Sequence, residues 1–106
     1  MKYRLEDHVL HIHLPGDVLS TGVHQIREQM DRIFEKPEVV ASKWALLNLD
    51  LSAARIIDSM GLNFLVGMLK FVNGKGAKMR ITIQDSNLDR LLRFTRLHEH
   101  AEVVRG

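Results

Sequence analysis

Asp58-Ser59 is the pair with most chemical meaning in this chain of 106 residues. It closes the loop Ser52 to Asp58 and stands where an apolar run of helical spacing begins, with Gly61 just inside that run. A helix N-terminus carries unpaired backbone N–H groups and a partial positive charge, so a serine hydroxyl there is held in place and a phosphate added to it is accommodated locally. The residues alone allow two readings. Ser59 is either the cap of the helix, with Asp58 a turn residue, or a hydroxyl presented for modification. Phosphorylation would add a charge of about −1.5 to −2 beside Asp58, changing the surface and leaving the backbone nearly as it was.

Other chemistry-bearing residues point to simpler roles. Six histidines are present and no cysteine. His11 and His13 share a strand face and His98-Glu99-His100 lies near the end, but neither group supplies a tetrahedral set of ligands, so solvent-facing histidines and no metal are expected. Without cysteine there is no disulfide, thiolate site or thiol nucleophile. A serine hydrolase would need a glycine two residues before Ser59, and Ile57 stands there. Gly74-Lys75-Gly76 follows a helix and precedes a strand, the reverse of a phosphate-binding loop, and reads as a helix stop. None of these residues forms a catalytic site or calls for a cofactor.

The elements that must position Ser59 follow from periodicity. Tyr3 to Leu5 and Val9 to Leu14 read as strands joined by Glu6-Asp7-His8, with Leu10, Ile12 and Leu14 alternating with more polar neighbours. Pro15-Gly16-Asp17 ends the second strand. A helix capped by Ser20 or Thr21 is expected next, carrying Val23, Ile26, Met30, Ile33 and Phe34 and stopping before Pro37. Trp44 to Leu51 is apolar on nearly both faces, as in a central strand, and Trp44 reads as a packing residue. The helix from Ser59 to Asn73 should end at Gly74 in a left-handed conformation. Lys78 to Ile83 forms another one-faced strand, and Ser86 caps a third helix containing Leu88, Leu91 and Leu92, with Asp89 at its third position. The tail from Leu97 to Val104 is ambiguous. The predicted fold is α/β, a mixed sheet of four or five strands with its helices mainly on one face, the other face carrying His11, His13, Lys78 and Arg80.

The stretch Leu47-Asn48-Leu49-Asp50-Leu51-Ser52, then Ile56-Ile57-Asp58-Ser59-Met60-Gly61-Leu62, resembles the signature of STAS domains, in which an apolar strand ends in Asp-Leu-Ser and an Asp-Ser-x-Gly-Leu turn opens the next helix. The likeness continues through Gly74-Lys75-Gly76-Ala77, the strand Lys78 to Ile83, Leu91-Leu92 and Leu97. It is close from Trp44 onward and extends to the earlier part in element order. The family branch it suggests is the anti-sigma factor antagonist type. That resemblance implies a STAS-like fold and a protein-binding module, not an enzyme, that sequesters an anti-sigma factor, itself a serine kinase of the histidine-kinase-like ATPase fold. The kinase would phosphorylate Ser59 and a serine phosphatase would reset it. Carried over by position, Ser59 is the phosphoacceptor and Asp58 its neighbour in the motif, and the exposed first turn around Met60, Gly61 and Asn63 is expected to join them in the partner-binding surface. Met60 stands where many members have a second hydroxyl, and Arg96 where a glycine commonly precedes the leucine near the end of the third helix. Two other readings stay open: a non-switching STAS module in a stress-signalling scaffold or lipid-transporter complex, and a nucleotide or small-ligand binding domain.

Composition bounds these readings. The length suits a single domain, residues 1–106. A net charge of +2 with both signs interspersed gives no electrostatic case for nucleic acid. Met1 to Leu10 lacks the apolar stretch of a signal peptide, and no segment reaches the roughly 20 apolar residues needed to cross a bilayer, so a cytoplasmic location without membrane insertion is expected. In the Ser59 helix, Met60, Leu62, Phe64, Leu65, Val66, Met68, Leu69, Phe71 and Val72 sweep an apolar arc of roughly 240°, leaving Asn63 and Lys70 as the polar strip. That is more than a sheet requires; the excess is expected to be mostly core, with the first turn reserved for a partner or for a second copy in a homodimer.

Overall fold

Leu10 and Ile12, Leu47 and Leu49, and Met79, Ile81 and Ile83 are all buried, while their strand neighbours Val9, His11, His13, Leu46, Asp50, Arg80 and Thr82 keep part of their surface. This alternation is the signature of a sheet covered on one side. The computed structural model, which describes residues 1–106, places five strands in the order β1 (Lys2–Glu6), β2 (Val9–His13), β3 (Leu46–Asp50), β4 (Lys78–Ile83) and β5 (Glu102–Arg105). β1 runs antiparallel to β2, and the other three pairings are parallel. Because the chain steps from β2 to β5 in one direction, right-handed crossovers bring the helices to one face. These are α1 (Val23–Phe34), α2 (Pro37–Ser42), α3 (Ser59–Gly74) and α4 (Ser86–Phe94). Their inward residues Ile26, Met30, Ile33, Phe64, Leu65, Met68, Leu69, Val72, Leu88 and Leu92 join the sheet's apolar face in one core.

The uncovered face is polar and cross-linked. His11, Asn48 and Arg80 lie opposite one another across β2, β3 and β4, as do His13, Asp50 and Thr82. Asn48, the one buried polar side chain, lies within 3.0 Å of His11 Nδ1 through its Nδ2 and accepts from Thr82 Oγ1 at 2.9 Å. Burial, with help from the nearby Arg4 and Arg80 charges, holds the His11 imidazole below its usual value. β3 is therefore less apolar on this side than its sequence suggested.

Several ends differ from the sequence expectation. Ser20 and Thr21 do not cap α1; Gly22 occupies that position, with no side-chain cap. α3 continues through Gly74, and the left-handed residue is Gly76, with φ 76°. There the Gly76 N–H donates to Asn73 O and the Ala77 N–H to Val72 O, the paired bonds of a Schellman stop. Asp85, not Ser86, caps α4, and Asp89 accordingly falls one position later in the helix than expected. The short helix α2 lies between Pro37 and Trp44, a stretch to which the sequence pattern assigns no element. The tail resolves into a 3-10 turn, Leu97–Glu99, and the edge strand β5.

Candidate functional site

The site lies where β2 and β3 end and α3 begins. Asp58 is the N-cap of α3, in extended conformation, and its Oδ1 accepts from the Gly61 N–H at 2.9 Å. The reading of Ser59 as the cap is thus corrected: Ser59 is the first helical residue, and its side chain is exposed. The second Asp58 oxygen accepts from the Ser20 N–H at 2.7 Å, tying the helix start to the segment that leads into α1. These two backbone donors, Ser20 first, hold the Asp58 carboxyl below the ordinary carboxylate value.

A second carboxylate reinforces the junction. Asp17 Oδ1 accepts from the N–H groups of Arg55 at 2.8 Å and Ile56 at 3.0 Å, and those bonds lower its proton affinity. Between these clamps, Val18 makes a parallel bridge with Ile57; its N–H donates to Ile56 O and its carbonyl accepts from the Asp58 N–H. The approach is so close that a Cβ at Gly61 would overlap the Val18 carbonyl oxygen and come within 2.8 Å of Ile57 Cγ2. Only glycine fits there.

Deeper in the same region, Asp50 at the end of β3 accepts from the Ser52 N–H at 2.9 Å and from the Ser52 hydroxyl, and meets His13 Nδ1 at 2.7 Å. Burial acts to raise the Asp50 carboxyl, but the Ser52 and His13 bonds outweigh it and the net shift is downward. Asp17, Asp50 and Asp58 therefore gather at one end of the sheet, each engaged in holding a loop.

The residues singled out in the sequence divide by position. Ser59, Met60 and Asn63 are exposed, Met60 to 49%. Asp58 is half-buried and occupied by its two backbone donors. Gly61 is buried beneath Val18, where the absence of a side chain allows the loop's approach. Along α3 the exposed stripe runs Ser59, Asn63, Val66 and Lys70, which puts Val66 at the surface instead of in the core. Ile56, 58% exposed, adds a second large apolar side chain beside the turn. Asp17, Ser20 and Ile56 were missed because their roles depend on contacts some 38 residues apart in the chain; the only local signal was the Pro15-Gly16-Asp17 strand stop.

Chemically, the arrangement offers an exposed serine on a hydrogen-bonded junction, next to the Asp58 carboxylate. The α3 N-terminus is capped from within by Asp58, and no group of three or more histidine or carboxylate side chains is placed to hold a metal ion. No helix is long and apolar enough to cross a membrane.

The STAS domain family profile matches residues 1–105. No curated protein matches the sequence. Among solved structures, a crystal structure of a candidate anti-sigma factor antagonist from Thermotoga maritima superposes with a TM-score of 0.79 at 19% identity, covering 97% of this chain and 84% of the other. A crystal structure of an anti-sigma factor antagonist from Mycobacterium paratuberculosis gives 0.77 at 16% identity, over 97% and 82%. At these identities the likeness is one of fold.

Proposed function

The chain belongs to the STAS domain family, and from that premise we propose that it is an anti-sigma factor antagonist, a cytoplasmic protein-binding module switched by phosphorylation of Ser59. Its partner in this reading is an anti-sigma factor with serine kinase activity, built on the histidine-kinase-like ATPase fold. Exposure of Ser59 at the first position of α3, on a junction held by Asp17 and Asp58, is the observation that supports it. Ile56, Met60 and Asn63 supply the surrounding surface for the partner.

The switch works through charge and not through refolding. The kinase transfers the γ-phosphoryl group of ATP to Ser59 Oγ, the hydroxyl proton is lost and ADP leaves. The new group carries about −1.5 to −2 charge, next to a carboxylate that is already ionised. A partner packed on the neutral serine would then have to desolvate adjacent anions, a penalty of about 2–5 kcal/mol that releases it. A serine phosphatase restores the binding form. The rival reading, a nucleotide or small anion held at the same helix end, has weaker support because Asp58 already takes the Gly61 N–H that such a ligand would use.

Incubation with the candidate kinase and ATP, followed by mass-spectrometric mapping, tests the proposal. Phosphate should appear on Ser59 alone. Ser59→Ala should keep kinase binding without labelling, and Ser59→Asp should weaken binding by at least about tenfold. A protein that binds the kinase yet never gains a phosphoryl group, and whose Ser59→Asp variant binds equally well, would instead be a non-switching STAS module.

A further inference from the structure

At the end of the sheet opposite Ser59, where the parallel strands begin, a groove of about 310 Å³ is lined by Phe34, Val39, Val40, Lys43, Trp44 and Lys75. Its wall is aromatic: the Phe34 and Trp44 rings stack with centroids 6.0 Å apart and 27° between planes, and Phe71 lies 4.9 Å behind Phe34. Val40, 64% exposed, stands on α2 as an apolar lip with no cover. Two lysines, Lys43 and Lys75, are among its lining residues. Lys75 Nζ lies 5.9 Å from the Trp44 ring centre and 5.4 Å from that of Phe71, which keeps the lysine over the aromatic wall. Lys43 sits in a left-handed conformation, φ 51°, at the end of α2. Neither lysine takes part in an ion pair. The one carboxylate on α2, Glu38, is engaged by the Tyr3 hydroxyl at 2.6 Å.

An apolar cleft with a few fixed polar groups is the usual form of a small-molecule site, and this volume falls at the lower end of the roughly 300–1,000 Å³ such sites occupy. With an aromatic wall, an aliphatic lip and two unpaired cations, we propose that the groove binds a small amphiphilic carboxylate, an aliphatic acid. Its chain lies against Phe34, Val39, Val40 and Trp44, and its carboxylate reaches Lys43 and Lys75. Charge complementarity selects an anion over a neutral or cationic amphiphile, and the size of the groove selects a free acid over a lipid with a large headgroup.

Trp44 is the sole tryptophan of the chain, so the groove carries its own reporter. Titration with decanoate below its micellar concentration should shift Trp44 fluorescence saturably, and decyltrimethylammonium should not. Lys43→Gln combined with Lys75→Gln should weaken decanoate binding by roughly tenfold, about threefold for each exposed charge. Val40→Asp, at an exposed position, should abolish saturable binding with the thermal midpoint unchanged. Equal binding of the cationic amphiphile, or an unaltered affinity in the double variant, would overturn the proposal. So would a Trp44 shift that appears with protein concentration alone and tracks dimer formation by sedimentation, which would put a second copy in the groove. Binding of an acidic leucine-rich peptide without binding of decanoate would assign the groove to a protein partner, and the proposal would fall.

Discussion

Gly61 and Gly67 lie on the same helix, and their surroundings make opposite demands. A methyl group at Gly61 meets the Val18 carbonyl oxygen and Ile57, whereas at Gly67 the nearest atom is Arg27 Nη1, 3.8 Å away at the end of a flexible side chain. Replacing a helical glycine by alanine ordinarily gains about 0.5–1 kcal/mol. Gly67→Ala should show that gain in urea denaturation. Gly61→Ala should lose about 1–3 kcal/mol, because the loop must be pushed away from the helix. A gain at both positions would mean that the Val18 segment is not held against α3. The same contact gives the glycine of the Asp-Ser-x-Gly turn a steric reason that sequence alone does not provide.

Among the elements, the strands were the most legible. Lys78–Ile83 alternates strictly because one face is core and the other is not. The helix starts were legible only to within a residue. Asp58-Ser59 and Asp85-Ser86 each place two good capping residues side by side, and local propensity cannot choose between them. In both cases aspartate caps, and at Asp58 a tertiary bond from Ser20 assists the choice. α2 is too short to show a helical period, and β5, with two half-buried residues in its middle, has no alternation to read. The end of α4 explains a departure from the family pattern noted at Arg96. That residue has φ 62° and follows the helix as its reversal point, its N–H donating to Arg93 O, a place that glycine fills without strain. Arg96→Gly should therefore leave the melting temperature unchanged or raise it, since relief of about 1 kcal/mol of left-handed strain offsets the extra chain entropy. Arg90→Gly, in the exposed interior of the same helix, should lower stability by about 1 kcal/mol. Equal losses at the two sites would show that Arg96 is not in that conformation.

For the whole molecule, the one-sided sheet sets how burial is distributed. Leu49 points into the core and is completely buried, while Leu46 on the same strand points to the uncovered face and is half-buried. Leu49→Ala should cost about 2–5 kcal/mol, a large part of the roughly 5–15 kcal/mol that holds a domain of this kind. Leu46→Ala should cost less than half as much in the same denaturation assay; similar losses would point to a second layer over that face. The junction around Ser59 has a different consequence. Its loops are tied to one another by Asp17, Asp58 and the Val18 bridge, so the amide protons of Ser20, Arg55, Ile56 and Gly61 belong to a closed hydrogen-bonded unit although several of these residues lie at the surface. A partner of the kind proposed, arriving at Ser59, would meet loops that have already given up their freedom during folding. Under the proposed function, association would then carry little ordering cost, and the charge state of Ser59 would set the lifetime of the complex.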